Sequence, residues 1–526
     1  MGRSWGRYVA LVVGGVMTVS VAMAPVASAT SAPPPSAHKA DPPRPGGLGT
    51  DPADGIALPP AAGAGGVERR KDDMEARSAA VARAQLGSYT KTNYTPRSLT
   101  GTSLPYNSPT LYGWDRGGSR DGTGVRMFSV GGVLYDHPVA QAQDGLYALS
   151  DHRLTGEARY LERAVLNAQR LIDRHVLVED AWYYPYPFDF LLHGRGDFAM
   201  RAPWFSGMAQ GQVLSLFTRL NEVTGDQKWL DAAVATFNSF RYAPTQDLPS
   251  TVNIDSSGYL WLEEYPRWPT SDSDRTLNGH VFSAFGLYDY HMRTGDPLAR
   301  DLWNGALANT RWHLPNGFRN PNYASFYCLA HGITPADYHE IHQEQMLYLH
   351  AGTGDFVWAQ YADTLRGDYP PPVVSGTVMF EPGSHTVYKF TGGTITATKT
   401  VSFSQQSSAP ADRRARIVGR EIYYRITAGT FSGYWVLENY QRAWMAGQKN
   451  TVIYPLSRTV LIPAGSRSAY QYSATGARTA SKTIQPTQPT SAPFSTSAVI
   501  NGRAHVLVTA GSLANYWLPS AGLTLN

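Results

Sequence analysis

The chain has almost no cysteine: its 526 residues include a single one, Cys328. One cysteine excludes a disulfide within the chain, so the fold must be stabilised by the burial of apolar surface. No Gly-rich phosphate loop of the GxGxxG or P-loop type follows a predicted strand, and no basic block accompanies the net charge of +4. These absences argue against a nucleotide cofactor and against nucleic acid as a partner.

The sequence also has little that indicates a membrane span. The apolar run Val9–Ala24 is too short for a confident span, and Arg3 and Arg7 precede it. The small residues Ala27-Ser28-Ala29 follow it as a cleavage site. We therefore expect a signal peptide over residues 1–29 and a secreted, extracellular protein, with an uncleaved anchor as the alternative.

Aromatic residues, in contrast, are plentiful. The 31 Tyr, 18 Phe and 13 Trp suit large cores as well as sugar-binding clefts. The length predicts two or more domains. Residues 30–67 are rich in Pro, Ala and Gly, a composition that predicts a disordered segment. Residues 68–129 are expected to form an N-terminal extension that begins with a short helical pattern.

A helical repeat fills the middle of the chain. A Thr-Gly-acidic triplet, flanked by apolar residues at helical spacing, occurs at Thr155-Gly156-Glu157, Thr224-Gly225-Asp226, Thr294-Gly295-Asp296 and Thr353-Gly354-Asp355. The Gly suits the left-handed end of one helix, and the acidic residue suits the start of the next. Residues 130–370 are therefore predicted to be mainly α, a series of helical hairpins that curls into an (α/α) toroid with its functional loops at one rim.

After residue 370 the helical periodicity stops and alternating β-type patterns begin, which predicts a C-terminal β region. Two segments repeat within it: Thr396–Thr400 recurs as Thr479–Thr483, and Tyr434-Trp435 recurs as Tyr516-Trp517. We therefore expect two β modules, at residues 371–450 and 451–526. The paired Tyr and Trp could contact a cell-wall glycan, while a place in the core of each module is the alternative.

Chemically active side chains crowd the segment before the last hairpin. Tyr327 and Tyr338 are two phenols, and His339 and His342 lie on one face of the predicted helix. Phenols, imidazoles and a carboxylate can remove a proton from carbon and return one, which indicates chemistry on a sugar acid. The two histidines could hold a metal, but no third ligand is evident, so the interpretation is a hydrogen-bond network and no metal is predicted.

Two further segments carry candidates for the site. Glu263, Glu264 and Tyr265 precede the third hairpin, and in an extended segment Glu263 and Tyr265 share a side while Glu264 points away unless the loop turns. Trp204 and Gln210 lie where the second hairpin begins and could line a cleft. Close helix packing explains the small residues around Gln210 equally well.

These motifs resemble the C-terminal catalytic domain of the D-glucuronyl C5-epimerases over roughly residues 130–370. The resemblance is carried by Glu264-Tyr265-Pro266, Leu277-Asn278-Gly279, Gly286-Leu287-Tyr288-Asp289, Tyr327, Asp337-Tyr338-His339, His342 and the segment Trp204–Gln212. It implies an (α/α) toroid. It also implies inversion of C5 of glucuronic acid within a heparan- or heparosan-type polysaccharide, a proton transfer for which we expect no cofactor.

The resemblance further implies a set of functional residues. Those that match the catalytic positions of the family are Tyr327, Tyr338, Tyr265 and Glu264. Those expected to bind the substrate are His331, His339, His342, Arg201, Arg267, Trp204, Gln210 and Asn278. The chain departs from the family just after Tyr327, where Cys328 and Ala330 stand in place of an acidic residue and an arginine.

The chemistry sets requirements that these residues can meet. Removal of a proton beside a carboxylate develops charge on the carboxylate oxygens, so the site needs cations or donors there, a base on one face and an acid on the other. We hypothesise that Tyr327 and Tyr338 exchange the proton and that Glu264 and Tyr265 assist. Because the pKa of a free phenol is near 10, one tyrosine must be helped to ionise.

Other functions use the same residue types. A polysaccharide lyase would share the proton abstraction, and a glycoside hydrolase would pair Glu263 or Glu264 with Asp337. A non-catalytic cell-wall polysaccharide-binding protein would act through its β modules, and the missing arginine favours it. The expected partner is an anionic uronic-acid polysaccharide, and a homodimer is left open.

Overall fold

The computed structural model describes residues 55–78, 83–245, 248–267 and 273–526. The predicted signal peptide and most of the predicted disordered segment therefore lie outside the described residues. Within the described residues, every helix is too short or too polar to cross a membrane.

The first two thirds of the chain are mainly helical, with short two- and three-stranded ribbons between the helices. The elements are β1 (Ile56–Leu58), α1 (Gly63–Ser78), β2 (Phe128–Val130), β3 (Val133–Tyr135), α2 (Pro138–Thr155), α3 (Ala158–Arg174), β4 (Val176–Val178), β5 (Ala181–Tyr183), β6 (Asp189–Leu191), β7 (Ala199–Met200), α4 (Gly207–Thr224), α5 (Gln227–Asn238), β8 (Val252–Ile254), β9 (Leu260–Leu262), α6 (Leu277–Thr294), α7 (Pro297–His313), α8 (Ala336–Thr353) and α9 (Phe356–Asp368).

The N-terminal part is more regular than its composition suggested. Residues 30–67 were expected to be disordered, yet β1 pairs with β6 and α1 begins at Gly63. The pairing explains the difference, because it gives the backbone of a Pro- and Gly-rich segment the hydrogen bonds of a sheet edge.

The four helical hairpins occur where the Thr-Gly-acidic triplets predicted them. The glycines Gly156, Gly225, Gly295 and Gly354 end α2, α4, α6 and α8 in the left-handed region, with φ between 71° and 75°. The side chains of Asp226, Asp296 and Asp355 then accept the first N–H groups of the following helices. The side chain of Glu157, which precedes α3, makes no such hydrogen bond.

The first helices of the hairpins pack in sequence, α2 on α4, α4 on α6 and α6 on α8. The crossing of α4 and α6 is so close that a Cβ atom at Gly211 would collide with the backbone of Ser283, and one at Gly286 would collide with Gly211. Close helix packing is thus the reason for small residues here. The hairpins share one apolar core, and closure into a toroid remains a prediction.

Residues 83–127 contain a short 3₁₀ turn at Gly101–Ser103 and isolated bridges, but no α-helix and no strand. Their backbone N–H groups donate to carbonyls in four separate places: Leu86 to Arg241, Thr90 to Gly258, Thr92 to Asn304 and Arg97 to Gly352. The N-terminal extension therefore ties together loops and helices that are far apart along the chain.

The expected C-terminal β region is present as two seven-stranded sheets. The strands are β10 (Gly376–Phe380), β11 (Gly383–Thr391), β12 (Thr394–Phe403), β13 (Ser407–Arg416), β14 (Ile422–Ile426), β15 (Trp435–Leu437), β16 (Ala443–Met445), β17 (Gln448–Ile462), β18 (Arg467–Tyr472), β19 (Arg478–Ile484), β20 (Thr490–Ile500), β21 (Arg503–Val508), β22 (Trp517–Pro519) and β23 (Thr524–Leu525).

The two sheets have the same topology, β12-β11-β15-β14-β13-β10-β16 and β19-β18-β22-β21-β20-β17-β23. The repeated sequence segments also make matching contacts. Lys399 donates to the carbonyl of Thr430 at 2.7 Å, and Lys482 donates to that of Ser512 at 2.6 Å. The internal repeat therefore corresponds to a duplicated structural unit.

The second sheet is fastened to the last hairpin. Asp363 on α9 accepts hydrogen bonds from Arg458 and Tyr454, each at 2.6 Å. Trp517 is buried in a small cluster with Ile500, which fits the interpretation that it is a core residue. Trp435 of the first sheet is half-buried, and binding of a glycan there remains a prediction.

Candidate active site

The centre of the site is the buried ring of Tyr327. Its backbone N–H donates to the carbonyl of Ile333 at 2.7 Å, and its carbonyl accepts from the N–H of Leu277, the first residue of α6, at 3.1 Å. The side chain has no solvent exposure. The loop before α8 is thus pinned on both sides, and the phenol is directed inwards.

The Tyr327 hydroxyl donates to Glu264 Oε2 at 3.2 Å, and Thr276 donates to the same oxygen at 2.6 Å. Burial raises the pKa of Glu264 to about 7, and the hydrogen bonds from Thr276, Tyr327 and Tyr265 offset only part of this effect. Near neutral pH this carboxyl group can therefore both accept and release a proton.

Glu263 points to a different partner, because the chain bends after β9. Its carboxylate accepts a hydrogen bond from Ser273, and burial raises its pKa to about 7. In the extended geometry expected from the sequence, Glu263 and Tyr265 would share a side. The bend at residues 264 and 265 instead brings Glu264 and Tyr265 to Tyr327.

Two further phenols, Tyr265 and Tyr338, contact Tyr327 and are themselves half-buried. The Tyr338 ring lies edge-on to Tyr327 with 4.6 Å between centroids. Burial and the neighbouring Glu264 raise the pKa of Tyr327 well above its ordinary value, so this phenol keeps its proton. The hypothesis that Tyr327 itself exchanges a proton with the substrate conflicts with its complete burial, whereas Tyr265 and Tyr338 are partly accessible.

On its other side Tyr327 meets a group that we call the histidine–cysteine cluster, made of His193, Asp274, Cys328 and His331. Asp274 Oδ2 lies 2.9 Å from His193 Nε2, and Asp274 Oδ1 lies 2.6 Å from His331 Nδ1. Cys328 Sγ is 3.6 Å from His193 Nε2, and burial raises the pKa of the thiol. His331, expected to bind a substrate carboxylate, is thus paired with a carboxylate of the protein.

His339 and His342 lie away from this cluster and face the interior of the protein. Both Nδ1 atoms lie 2.8 Å from the hydroxyl of Ser325, and His339 Nε2 lies 2.9 Å from the carbonyl of Leu365. Burial lowers the pKa of His339 to about 4, so the ring is neutral. The hydrogen-bond network weighed for these two histidines is the arrangement found, and their expected contact with substrate conflicts with their burial.

The two arginine candidates lie on the rim. Arg201 is mostly exposed and pairs with Asp189 at 2.6 Å. Arg267 donates to the carbonyl of Asp197 at 2.8 Å and lies over the ring of Phe198, with 4.7 Å from its Cζ to the centroid. Since Phe198 also contacts His331, Arg267 is the arginine that the fold brings towards the histidine–cysteine cluster.

Trp204 stacks on Tyr186 at 3.8 Å and contacts Tyr265 at 6.0 Å, so it supports a phenol of the site from behind. Gln210 could line a cleft according to the sequence, a role that its burial does not favour. Its amide is completely buried and bonds to the carbonyl of Trp182 and the hydroxyl of Ser239, each at 2.8 Å, since it joins α4 to the chain beside it.

Asn278 is likewise buried in the first turn of α6, and its carbonyl accepts from Gln345 at 2.8 Å. Its side-chain Oδ1 has no hydrogen-bond partner among the described residues. A role in holding substrate is therefore a prediction that its burial does not favour.

Sequence reasoning missed three parts of the site: His193, Asp274 and Thr276. It also missed a small, partly open pocket beside α2, α6 and α8, lined in part by Tyr112, Tyr147 and Glu344. Burial raises the pKa of Glu344 to about 8. Asp274 contacts Cys328, and at Cys328 the chain departs from the family pattern. That departure is the signal that could have drawn attention to Asp274.

The region that carries the site is similar in sequence to known proteins. Residues 179–366 match the family described as D-glucuronyl C5-epimerase C-terminus. A D-glucuronyl C5-epimerase of Caenorhabditis elegans is 28% identical over 183 residues, which are 31% of this chain and 28% of that protein. An uncharacterized protein of Methanocaldococcus jannaschii is 24% identical over 226 residues, 41% of this chain and 70% of the relative. The chain thus spans less than a third of the nematode enzyme.

Among solved structures, a cellobiose 2-epimerase of Bacillus thermoamylovorans is 14% identical with a TM-score of 0.33, covering 44% of this chain and 59% of that one. A family 76 α-mannanase of Bacteroides thetaiotaomicron is 12% identical with a TM-score of 0.31, covering 45% and 58%. These similarities are too low to carry an argument about the site.

Proposed function

We propose that this chain is a carbohydrate epimerase, on the premise that residues 179–366 belong to the D-glucuronyl C5-epimerase C-terminal family. The proposed reaction inverts C5 of D-glucuronic acid residues in a heparosan-like polysaccharide. One observation carries the proposal: the Tyr327 hydroxyl bonds at 3.2 Å to Glu264, whose pKa is raised to about 7 by burial, with the half-buried phenols of Tyr265 and Tyr338 beside them.

The chemistry follows from the hydrogen bonds of Glu264. Tyr265 bonds to this carboxylate, so its phenol passes its proton to Glu264 while its oxygen takes the proton from C5. The electron pair of the C–H bond moves onto the substrate carboxylate. Tyr338 then gives its proton to C5 on the opposite face. Tyr327, whose hydroxyl bonds to Glu264 and whose ring contacts Tyr338, takes up the proton of Glu264 as it passes its own proton to Tyr338, and the site is reset.

The charge that develops on the substrate carboxylate needs a partner. Ala330 stands where the family has an arginine, so this chain must supply positive charge from elsewhere. Arg267 on the rim of the site is the candidate that the contacts with Phe198 favour, because Phe198 also touches His331 beside the Tyr327 loop.

Three finer points belong to the same proposal. The hairpins close into a toroid, a proposal supported by the sequential packing of α2 on α4, α4 on α6 and α6 on α8. The tyrosines mediate the proton transfer. The protein is secreted and meets its polysaccharide outside the cell, as the composition of residues 1–29 suggests.

The test is hydrogen exchange at carbon. The purified protein is incubated with heparosan in heavy water, and deuterium at C5 is followed by NMR together with signals of iduronic acid. We expect both, and we expect Tyr265→Phe to lower the exchange rate by about 10²- to 10⁴-fold, since general acid–base groups contribute about that much.

Tyr290→Phe is the matched control, because this tyrosine packs on Phe237 at the far end of α6 and should leave the rate unchanged. An unsaturated product would identify a lyase, and new reducing ends would identify a hydrolase. An intact polymer without deuterium, tested over several uronic-acid polymers, would contradict the proposed epimerase.

A further inference from the structure

The histidine–cysteine cluster brings together four side chains from three separate parts of the chain. His193 lies in the turn after β6, Asp274 lies in the loop before α6, and Cys328 and His331 lie in the loop before α8. One potential ligand atom from each residue can be chosen so that all four lie within 4.8 Å of one another. Such convergence of donors is more than the pairing of two neighbours on one helix.

The donor set has the composition of a metal site. Two imidazoles, a thiolate and a carboxylate are the ligands that bind Zn²⁺, and bonds of about 2.0 to 2.3 Å place tetrahedral ligands about 3.3 to 3.8 Å apart. Cys328 Sγ and His193 Nε2 are already 3.6 Å apart. The contacts of Asp274, at 2.9 Å to His193 and 2.6 Å to His331, would lengthen by less than about 1 Å.

The surroundings also suit an ion. The side chains of Asp274 and His193 have 0% and 2% of their surface exposed, and that of His331 has 11%. The loops are held against each other by backbone bonds from Leu329 to Arg275 and from Ala330 to Asp274, each 3.3 Å. Water is thus largely kept from three ligands, while His331 at the edge gives an ion a route of entry.

We propose that His193, Asp274, Cys328 and His331 bind one transition-metal dication of the zinc class. Four protein ligands make a closed site, which is the form of structural zinc sites. The ion would link the turn after β6 to the loops that carry Thr276 and Tyr327. In the proposed function, the four ligands are positioning residues that fix Tyr327 against Glu264, so the effect of the ion on catalysis rests on that function. The binding of the ion does not depend on it.

Cobalt gives a sharp test, because Cys328 is the only cysteine of the chain. The full chain is stripped with a chelator, dialysed and titrated with Co²⁺. We expect one equivalent to bind, with tetrahedral visible bands and a sulfur-to-cobalt charge-transfer band in the near ultraviolet. Zn²⁺ should displace the cobalt and should raise the melting temperature of the protein.

Cys328→Ser should abolish the charge-transfer band, and Asp274→Asn should weaken binding by more than the about 10- to 100-fold that loss of an outer-shell partner costs. His152→Gln, at a histidine in the last turn of α2 whose Nδ1 lies 3.0 Å from the carbonyl of Glu157, is the control and should bind like the wild type. Both cluster variants must first show a cooperative melt. If Cys328→Ser does not fold, Asp274→Asn and the zinc-dependent melting shift of the wild type decide the question.

The proposal is overturned if the wild type shows no charge-transfer band, or if Asp274→Asn binds Co²⁺ as tightly as the wild type. Stoichiometric binding without deuterium exchange at C5 would leave the metal site standing and contradict the proposed epimerase. Exchange without binding would do the reverse, and the four residues would then form a hydrogen-bonded network only.

Discussion

Two groups of side chains meet the ring of Tyr327, and they differ in how they handle charge. Glu264 on one side accepts hydrogen bonds from hydroxyl groups and has a pKa raised to about 7, which suits a group that takes up and releases protons. On the other side, the histidine–cysteine cluster gathers four side chains of the types that bind a cation. A single buried phenol therefore separates a proton carrier from a proposed ion site.

The difference between the two sides shows what local sequence can encode. Glu264, Tyr265 and Tyr338 belong to compact motifs whose residue types announce acid–base chemistry. His193 and Cys328 are separated by 135 residues, and Asp274 and His331 by 57. Only the packing of three loops unites them, so the second side depends on the fold in a way that the first does not.

The largest effect is expected from removing the phenol between the two sides. Tyr327→Phe deletes the hydroxyl that donates to Glu264 at 3.2 Å and breaks the proposed return of the proton. The rate of C5 exchange should fall by about 10²- to 10⁴-fold. Deuterium incorporation measured by NMR checks this, with the melting temperature as the control for folding. A variant with the wild-type rate would remove Tyr327 from the mechanism.

A smaller effect isolates Glu264 in the free energy of unfolding. Its pKa rises from 4.5 when unfolded to about 7 when folded, so the folded state binds more protons. The stability from this group is complete below the unfolded pKa and is lost as the pH rises through the folded pKa. In Glu264→Gln this loss is absent, so the stability relative to the wild type should rise by about 1 kcal/mol per pH unit between about pH 5 and pH 7.

Urea unfolding at several pH values measures this difference. Buried histidines such as His280, with a pKa lowered to about 4, give the opposite slope, but they act equally in both proteins and cancel. Glu222→Gln, at an exposed glutamate of α4, is the matched control and should follow the wild type. A constant difference at every pH would mean that Glu264 keeps an ordinary pKa.

The smallest effect is expected at Arg201, which lies outside both groups. Its side chain is 61% exposed and pairs with the buried carboxylate of Asp189, and a charge this accessible to water contributes about 0 to 1 kcal/mol through an ion pair. Arg201→Ala should therefore change kcat/KM for the polysaccharide by less than about fivefold. Initial rates at several salt concentrations test this, and a loss of the size expected for Tyr327→Phe would place Arg201 in the machinery after all.

Much of the fold was predictable because single residues enforce it. The glycine of each Thr-Gly-acidic triplet must adopt a positive φ at a helix end, and Asp226, Asp296 and Asp355 must start the next helix, so four turns were recognised from four triplets. The β duplication was recognised from repeated sequence segments. These segments repeat because residues such as Lys399 and Lys482 make matching hydrogen bonds in the two sheets. The strand at residues 56–58 was missed because it depends on pairing with β6, and the composition of the segment does not reveal that partner.

The site was only half predictable for a related reason. Reasoning from residue types and from the family resemblance led to Tyr327, Tyr338, Tyr265 and Glu264, which the fold brings together. It could not separate a polar side chain that faces a cavity from one that satisfies a buried backbone, so Gln210 was assigned to a cleft although it bonds to Trp182 and Ser239.

The N-terminal extension has a consequence for the order of assembly. Residues 86–97 emerge early from the ribosome, yet the carbonyl groups that receive their N–H groups belong to Arg241, Gly258, Asn304 and Gly352. Loop closure over such distances must wait until the partners exist. We therefore expect the first of these segments to be synthesised to be among the last to reach its final place, after the hairpins that carry its partners have formed.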